Sequence, residues 1–130
     1  MSKNKKIISP DRSTPDKKKL LETFDNSYPK RGYLIVHRTR EFTSVCPKTG
    51  QPDFGVITIS YIAKNKCVEL KSLKYYLQSF RNEGIFYENV VNRILDDLVS
   101  VLKPKWLEVR GDFSVRGGMN STVTAIFGEK

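Results

Sequence analysis

Alternating hydrophobic and polar positions dominate residues 55–63, where Ile57, Ile59 and Tyr61 fall on one face of an extended chain. Such a period of two predicts a strand with one buried face, as in an antiparallel sheet. β-Branched and aromatic residues are dense in three further stretches, which we also predict to be strands. These are residues 33–39, 106–113 and 119–127.

The middle of the chain has a helical period instead. In residues 69–82 leucines and a phenylalanine recur every three or four positions, and residues 87–102 repeat this pattern before Pro104. An apolar stripe of this kind predicts an amphipathic helix, and proline ends one. The predicted order is β-β-α-α-β-β, an α+β fold with an antiparallel four-stranded sheet and two helices on one face. Its outer strands would be open edges, so we expect a homo-oligomer.

Length and charge are those of a small basic protein. The 130 residues are typical of one domain, and the formal net charge is +9. Residues 1–19 hold seven basic and two acidic side chains and no periodic apolar positions. We therefore predict a disordered basic tail, followed by a single domain over residues 20–130. A basic tail can bind nucleic acid, but the remaining chain lacks an aromatic and basic platform, and no direct nucleic-acid partner is expected.

Cysteine and histidine usage bears on location and metal binding. The chain has no apolar run of 18 residues and no evident secretory leader, so we expect a cytoplasmic protein that does not enter membranes. Cys46 and Cys67 are then expected to be reduced, with Cys67 in a packing role. The single histidine, His37, excludes a two-histidine metal site within one chain, and no catalytic metal is expected.

The richest candidate chemistry lies in residues 41–54, E-F-T-S-V-C-P-K-T-G-Q-P-D-F. Cys46 precedes Asp53 by seven residues, and two prolines and a glycine between them predict a stiff loop. A thiol beside a proton donor can attack an electrophilic carbon and then protonate the product. The thiol of Cys46 would need its thiolate form, and the nearby Lys48 and Arg40 are candidates for lowering its pKa.

Three motifs together resemble one enzyme family: the loop above, E-L-K-S-L-K-Y-Y at residues 69–76, and F-R-N-E-G-I-F-Y-E at residues 80–88. From about residue 24 to residue 127 the chain is similar to the NADPH-dependent 7-cyano-7-deazaguanine reductases of queuosine biosynthesis, in their short single-module form. The resemblance implies a tunnelling fold, in which ββααββ subunits close into barrel-like rings and two rings stack face to face. It also implies active sites that lie between subunits.

The same resemblance implies roles for individual residues. Cys46 would be the nucleophile and Asp53 the proton donor. The substrate would be bound by Glu88, at the edge of its guanine-like ring, and by Tyr87, Glu69 and Ser72. NADPH, as a co-substrate, would be bound by Lys71, Lys74, Arg116 and Gly117. The chain departs from the family at Tyr87, where many members have histidine.

The implied reaction reduces the nitrile of 7-cyano-7-deazaguanine to the amine of 7-aminomethyl-7-deazaguanine with two NADPH, through a thioimide on Cys46. A tunnelling-fold enzyme that forms amidines would use the same thioimide with ammonia in place of hydride. Read from the residues alone, Glu88 equally suits an ordinary acid in the first turn of a helix. A nucleic-acid-binding module is a further alternative: it would lose affinity if residues 1–19 were removed, whereas an enzyme should keep its turnover.

Overall fold

A computed structural model describes residues 16–130, beginning with a short 3₁₀ turn at Lys17–Leu20. Six strands follow in chain order, β1 (Thr23–Asp25), β2 (Ile35–Val45), β3 (Pro52–Ile62), β4 (Lys66–Val68), β5 (Trp106–Arg116) and β6 (Met119–Gly128). Two helices lie between β4 and β5, namely α1 (Leu70–Gln78) and α2 (Tyr87–Leu102). The four long strands form one antiparallel sheet in the order β2-β3-β5-β6, and β1 pairs with β4 in a small separate sheet. Neither helix of this described part is long and apolar enough to cross a membrane.

The α+β prediction is confirmed, with four long strands and two helices in the predicted order. The strands are longer than expected, and β3 starts early enough to include Asp53, which we had predicted in the loop. Helix α1 ends at Gln78, before the predicted residue 82. Beyond it the chain makes turns, in which the Glu83 amide donates to the Phe80 carbonyl at 2.9 Å. Phe80 stays buried there, so the apolar period continues past the end of the helix.

The core lies between one face of the main sheet and the two helices. Ile57, Ile59 and Tyr61 are buried on that face, as their alternation predicts. Helix α2 packs against β5 and β6 and adds a stripe of fully buried side chains to the same core, Val90, Val91, Ile94 and Leu98. Burying an aliphatic or aromatic side chain of this size contributes about 1.5–3 kcal/mol to folding. This packing fixes the start of α2 against the sheet.

The two outer strands of the main sheet, β2 and β6, are long and have one open edge each in the single chain. β6 also exposes Met119, Ile126 and Phe127. Long open edges with apolar side chains pair readily with another chain. The fold therefore supports the expectation of a homo-oligomer.

The 3₁₀ turn at Lys17–Leu20 falls across the predicted boundary between tail and domain. Lys17 is buried, and its ammonium donates to the Ser79 carbonyl at 2.8 Å and lies 3.3 Å from the Glu83 carboxylate. Removing residues 1–19 would leave that buried carboxylate without its cation, which is strongly destabilising. A truncation that tests the tail should therefore end at residue 15. Residues 1–15 lie outside the described part, so the tail itself stays a prediction.

Candidate active site

The loop between β2 and β3, residues 46–51 (hereafter the thiol loop), is closed by backbone hydrogen bonds at both ends. The Cys46 amide donates to the Gln51 carbonyl at 2.9 Å, and the Gly50 amide donates to the Cys46 carbonyl at 2.8 Å. Gly50 has a φ of +74°, a conformation that glycine adopts without strain. These hydrogen bonds restrain the loop, which leaves the Cys46 thiol partly exposed.

The end of β2 is also tied to the segment that leads into α2. The Val45 amide donates to the Glu83 carbonyl at 2.9 Å, and the Ile85 amide donates back to the Val45 carbonyl at 3.0 Å. This short parallel bridge pairs Val45, just before the thiol loop, with Gly84, which is three residues ahead of Tyr87 and four ahead of Glu88. Residues far apart in sequence are thus brought to one end of the sheet.

Asp53 is a buried carboxyl held by two long-range partners. It faces the helices from the start of β3 and is only 5% exposed. Its Oδ1 accepts hydrogen bonds from Arg116 Nε at 2.8 Å and from the Tyr87 hydroxyl at 3.1 Å. The guanidinium of Arg116 also donates to the Gln51 side chain at 2.9 Å and to the Pro52 carbonyl. A buried carboxylate needs such partners, since leaving it unpaired costs several kcal/mol.

Tyr87 has a well-defined geometry in this chain. Its ring stacks on Phe113 with centroids 3.9 Å apart and planes 8° from parallel. Burial raises the pKa of Tyr87, and the neighbouring Asp53 raises it further. The phenol therefore stays protonated at neutral pH and remains a hydrogen-bond donor to Asp53. Its predicted contact with substrate stays a prediction.

Hydrogen bonds within the thiol loop shape the electrostatics of Cys46. The pKa of Cys46 is lowered, first by a hydrogen bond from the Thr49 hydroxyl and then by the Thr49 and Lys48 backbone amides. Asp53 acts in the opposite direction, because a nearby carboxylate disfavours the thiolate. We had expected the charges of Lys48 and Arg40 to lower this pKa. The main contribution instead comes from a neutral hydroxyl that the sequence pattern did not single out.

The predicted substrate residues divide between two places. Glu88 is exposed in the first turn of α2, directly after Tyr87. Glu69 and Ser72 lie at the start of α1, where the Glu69 carboxylate accepts from the Ser72 amide at 2.8 Å and caps the helix. The Ser72 hydroxyl is buried and donates to the Glu69 carbonyl at 2.8 Å. Both side chains therefore support α1 in the single chain, and their contact with substrate stays a prediction.

The predicted cofactor residues are also split. Lys71 and Lys74 of α1 lie near the exposed ring of Tyr75, with Nζ atoms 6.0 Å and 4.9 Å from its centroid. Lys74 also lines a cavity of about 520 Å³ between α1 and β2. Gly117 lies in the exposed turn between β5 and β6, with a φ of +59°. Arg116 is engaged with Asp53, so that contact with a cofactor would require it to exchange partners.

Side chains that could bind a metal ion are not clustered in the described part of the chain. Among residues 16–130 no three His, Cys, Asp or Glu side chains are grouped so as to hold a metal ion. The grouping that the structure does produce is Cys46, Asp53, Tyr87 and Arg116, with Thr49 and Gln51 of the thiol loop around them. It combines a nucleophile, a buried acid and fixed donors, which is what addition of a thiol to a polar multiple bond requires.

Known proteins with similar sequences or folds identify the family of this chain. The family described as QueF-like protein matches residues 52–130. An NADPH-dependent 7-cyano-7-deazaguanine reductase of Chloroherpeton thalassium is 60% identical over 111 residues, which cover 85% of this chain and 96% of that protein. A protein of the same name from Chlorobium luteolum is 62% identical over 108 residues, covering 83% and 93%. The crystal structure of the archaeosine synthase QueF-Like in the apo form shares the fold, with a TM-score of 0.71 at 24% identity, covering 78% of this chain and 99% of that one.

Proposed function

The chain belongs to the QueF-like family, and from this premise we propose that it reduces the nitrile of 7-cyano-7-deazaguanine through a covalent bond to Cys46. It is an NADPH-dependent oxidoreductase of queuosine biosynthesis, and its product is 7-aminomethyl-7-deazaguanine. The observation that carries the covalent step is the pairing of a partly exposed thiol with a buried carboxyl across one short loop. We also propose a cytoplasmic location, in which both free cysteines stay reduced.

The first step adds the Cys46 thiol across the carbon–nitrogen triple bond. The sulfur bonds to the nitrile carbon, one π bond breaks, and the thiol proton ends on the nitrogen, so the thioimide contains every atom of both reactants. Asp53 accepts that proton from sulfur and delivers it to nitrogen. NADPH then supplies two hydrides in turn, and with two further protons they give the amine and release the Cys46 thiol.

Glu88 is the proposed recognition residue for the ring. A guanine-type edge presents a ring N–H and an amino group side by side, and one carboxylate accepts hydrogen bonds from both. Glu88 is exposed in the first turn of α2, so its carboxylate is free to meet a ligand. A ring without the two donors would leave these oxygens unpaired and would be rejected.

The proposed NADPH surface is the outer face of α1. Lys71 and Lys74 supply positive charge for phosphate groups, and the neighbouring Tyr75 has an exposed ring. This combination of cations and a ring suits a dinucleotide, since phosphates bind ammonium groups and an adenine ring stacks on an aromatic side chain. Gly117 and Arg116 would complete the surface from another part of the assembly.

The subunit has the tunnelling fold, and we propose that it closes into barrel-like rings, two of which stack. The open edges of β2 and β6 support strand pairing between neighbouring subunits, which would extend the sheet around a ring. Such pairing would also bring α1 of one subunit towards the thiol loop of another. Sites shared between subunits would then combine the cofactor surface of one chain with the thiol loop of its neighbour.

The reductase and the amidine-forming alternative differ in what they consume. With 7-cyano-7-deazaguanine as substrate, the protein is expected to oxidise two NADPH for each amine formed, measured by the fall in absorbance at 340 nm together with mass spectrometry of the product. With ammonia and no NADPH, we expect the covalent adduct but no released amidine. Amidine release without NADPH oxidation would contradict the reductase proposal.

Glu88→Gln is expected to weaken substrate binding by roughly 2–3 kcal/mol, a 30- to 150-fold rise in Kd, because a charged acceptor of two hydrogen bonds becomes a neutral one. Calorimetry in a Cys46→Ala background measures this binding without covalent reaction. Asp96→Asn, which neutralises an exposed acid later in the same helix, is the matched control and should leave Kd unchanged. If the Cys46→Ala protein bound substrate equally well with and without Glu88→Gln, Glu88 would be an ordinary acid in the first turn of a helix and not a recognition residue.

A further inference from the structure

Ser44 is a buried polar residue that has no role in the scheme above. It lies on β2 two residues before Cys46, its side chain is fully buried, and its Oγ has no hydrogen-bond partner among residues 16–130. Every other buried side-chain oxygen or nitrogen in that part of the chain is paired. An unpaired buried hydroxyl lowers the stability of a fold, so its presence here needs a physical reason.

The sheet places Ser44 directly opposite Asp53. The two residues are paired in the hairpin of β2 and β3, and both side chains are buried. Directly opposed residues of antiparallel strands point to the same face of a sheet, with Cβ atoms about 4.5–5.5 Å apart. Rotation about χ1 moves a serine hydroxyl between three staggered positions, and a carboxyl at that separation lies within its reach. The hydroxyl of Ser44 can therefore meet the carboxyl of Asp53 beside the thiol loop.

The contacts of Asp53 leave one of its two oxygens available. Arg116 and Tyr87 both donate to Oδ1, and Oδ2 has no hydrogen-bond partner in the described part of the chain. We propose that Ser44 is a positioning residue, whose hydroxyl binds Oδ2 while Asp53 carries the proton from sulfur to nitrogen. This inference rests on the proposed function, in which Asp53 moves that proton, and it adds the residue that holds the oxygen involved.

A hydroxyl suits this position because Asp53 changes its protonation state during the first step. The guanidinium of Arg116 can only donate, so it suits the carboxylate and cannot accept a hydrogen bond from the acid. A serine hydroxyl donates to Oδ2 of the carboxylate and accepts from the O–H of the acid. The serine itself gains and loses no proton. The S–H bond breaks as the O–H bond on Asp53 forms, and that bond breaks in turn as the nitrogen is protonated.

Ser44→Ala removes the hydroxyl and little else. In rapid mixing with 7-cyano-7-deazaguanine and no NADPH, adduct formation should slow about tenfold, as for the loss of one hydrogen bond, while Kd measured in a Cys46→Ala background stays unchanged. Because the hydroxyl is unpaired in the fold, the melting temperature should be unchanged or a few degrees higher. Ser60→Ala, the same change on the opposite face of β3, is the matched control and should leave the rate within about twofold of wild type.

A double-mutant cycle with Asp53→Asn separates action through Asp53 from a purely structural role. The proposal predicts that Ser44→Ala slows adduct formation in the wild-type protein and has no further effect in Asp53→Asn. A structural role predicts a lower melting temperature and the same slowing in both backgrounds, and either result would overturn the proposal. A wild-type protein that forms no adduct would overturn the proposed function and this inference together. Normal adduct formation that Ser44→Ala leaves unchanged would overturn this inference alone.

Discussion

Cys46→Ala is expected to abolish the covalent adduct with 7-cyano-7-deazaguanine and to lower kcat by at least about 10⁴-fold, as for loss of a nucleophile. A nitrile accepts hydride poorly until sulfur is attached, and in this chain the second thiol cannot take over. Cys67 is buried in the core, 3.9 Å from the Tyr33 hydroxyl. Intact-mass spectrometry without NADPH measures the adduct, which should equal the mass of the whole ligand because thiol addition releases no atom.

Cys67→Ala is the matched control for that experiment. It removes a thiol from the same chain, and its expected cost is in stability alone, about 1 kcal/mol for the loss of a small buried side chain. The variant should form the adduct at the wild-type rate. If Cys46→Ala still gained the ligand mass, or if Cys67→Ala failed to gain it while remaining folded, Cys46 would not be the nucleophile.

The parts of the fold that follow local patterns were predictable from sequence. The alternation around Ile57 and Ile59 fixed the buried face of β3, and the apolar period before Pro104 located α2 at both ends. The strands extend further than predicted, because β2 and β3 continue as a hairpin up to the thiol loop. How far each strand extends there depends on its pairing with the other strand. The residue pattern of one segment alone does not contain that information.

The contacts that complete the site depend on residues distant in sequence. Arg116 reaches Asp53 across 63 positions, and Tyr87 reaches it across 34. The family resemblance pointed to all three residues, but it assigned Arg116 to cofactor phosphates and gave no sign of the ion pair. Lys17 was likewise placed in a solvated tail, although its ammonium is buried against Glu83. A charge pattern alone cannot distinguish a lysine in solvent from one in a buried pair.

Asp53 accepts hydrogen bonds from both Arg116 and Tyr87. After Cys46→Ala, we expect Asp53→Asn to cause the largest loss in the rate of adduct formation. The amide keeps an oxygen that can accept from Arg116 and Tyr87, so the fold should persist with a modest loss of melting temperature. It cannot carry a proton from sulfur to nitrogen, so adduct formation should slow by about 10²- to 10⁴-fold, the usual contribution of general acid–base catalysis. Absorbance after rapid mixing without NADPH measures the rate of adduct formation, because the adduct is not reduced under these conditions.

Asp112→Asn is the matched control, since Asp112 is also bound by an arginine, with Arg110 Nε 3.0 Å away, but on the opposite face of the sheet. The same chemical change there should leave the rate of adduct formation within about twofold of wild type, because no proton transfer passes through it. If Asp53→Asn reacted as fast as Asp112→Asn, the proton on the thioimide nitrogen would have to come from another group. The ion pair with Arg116 would then be structural, holding β5 against the start of β3 beside the thiol loop.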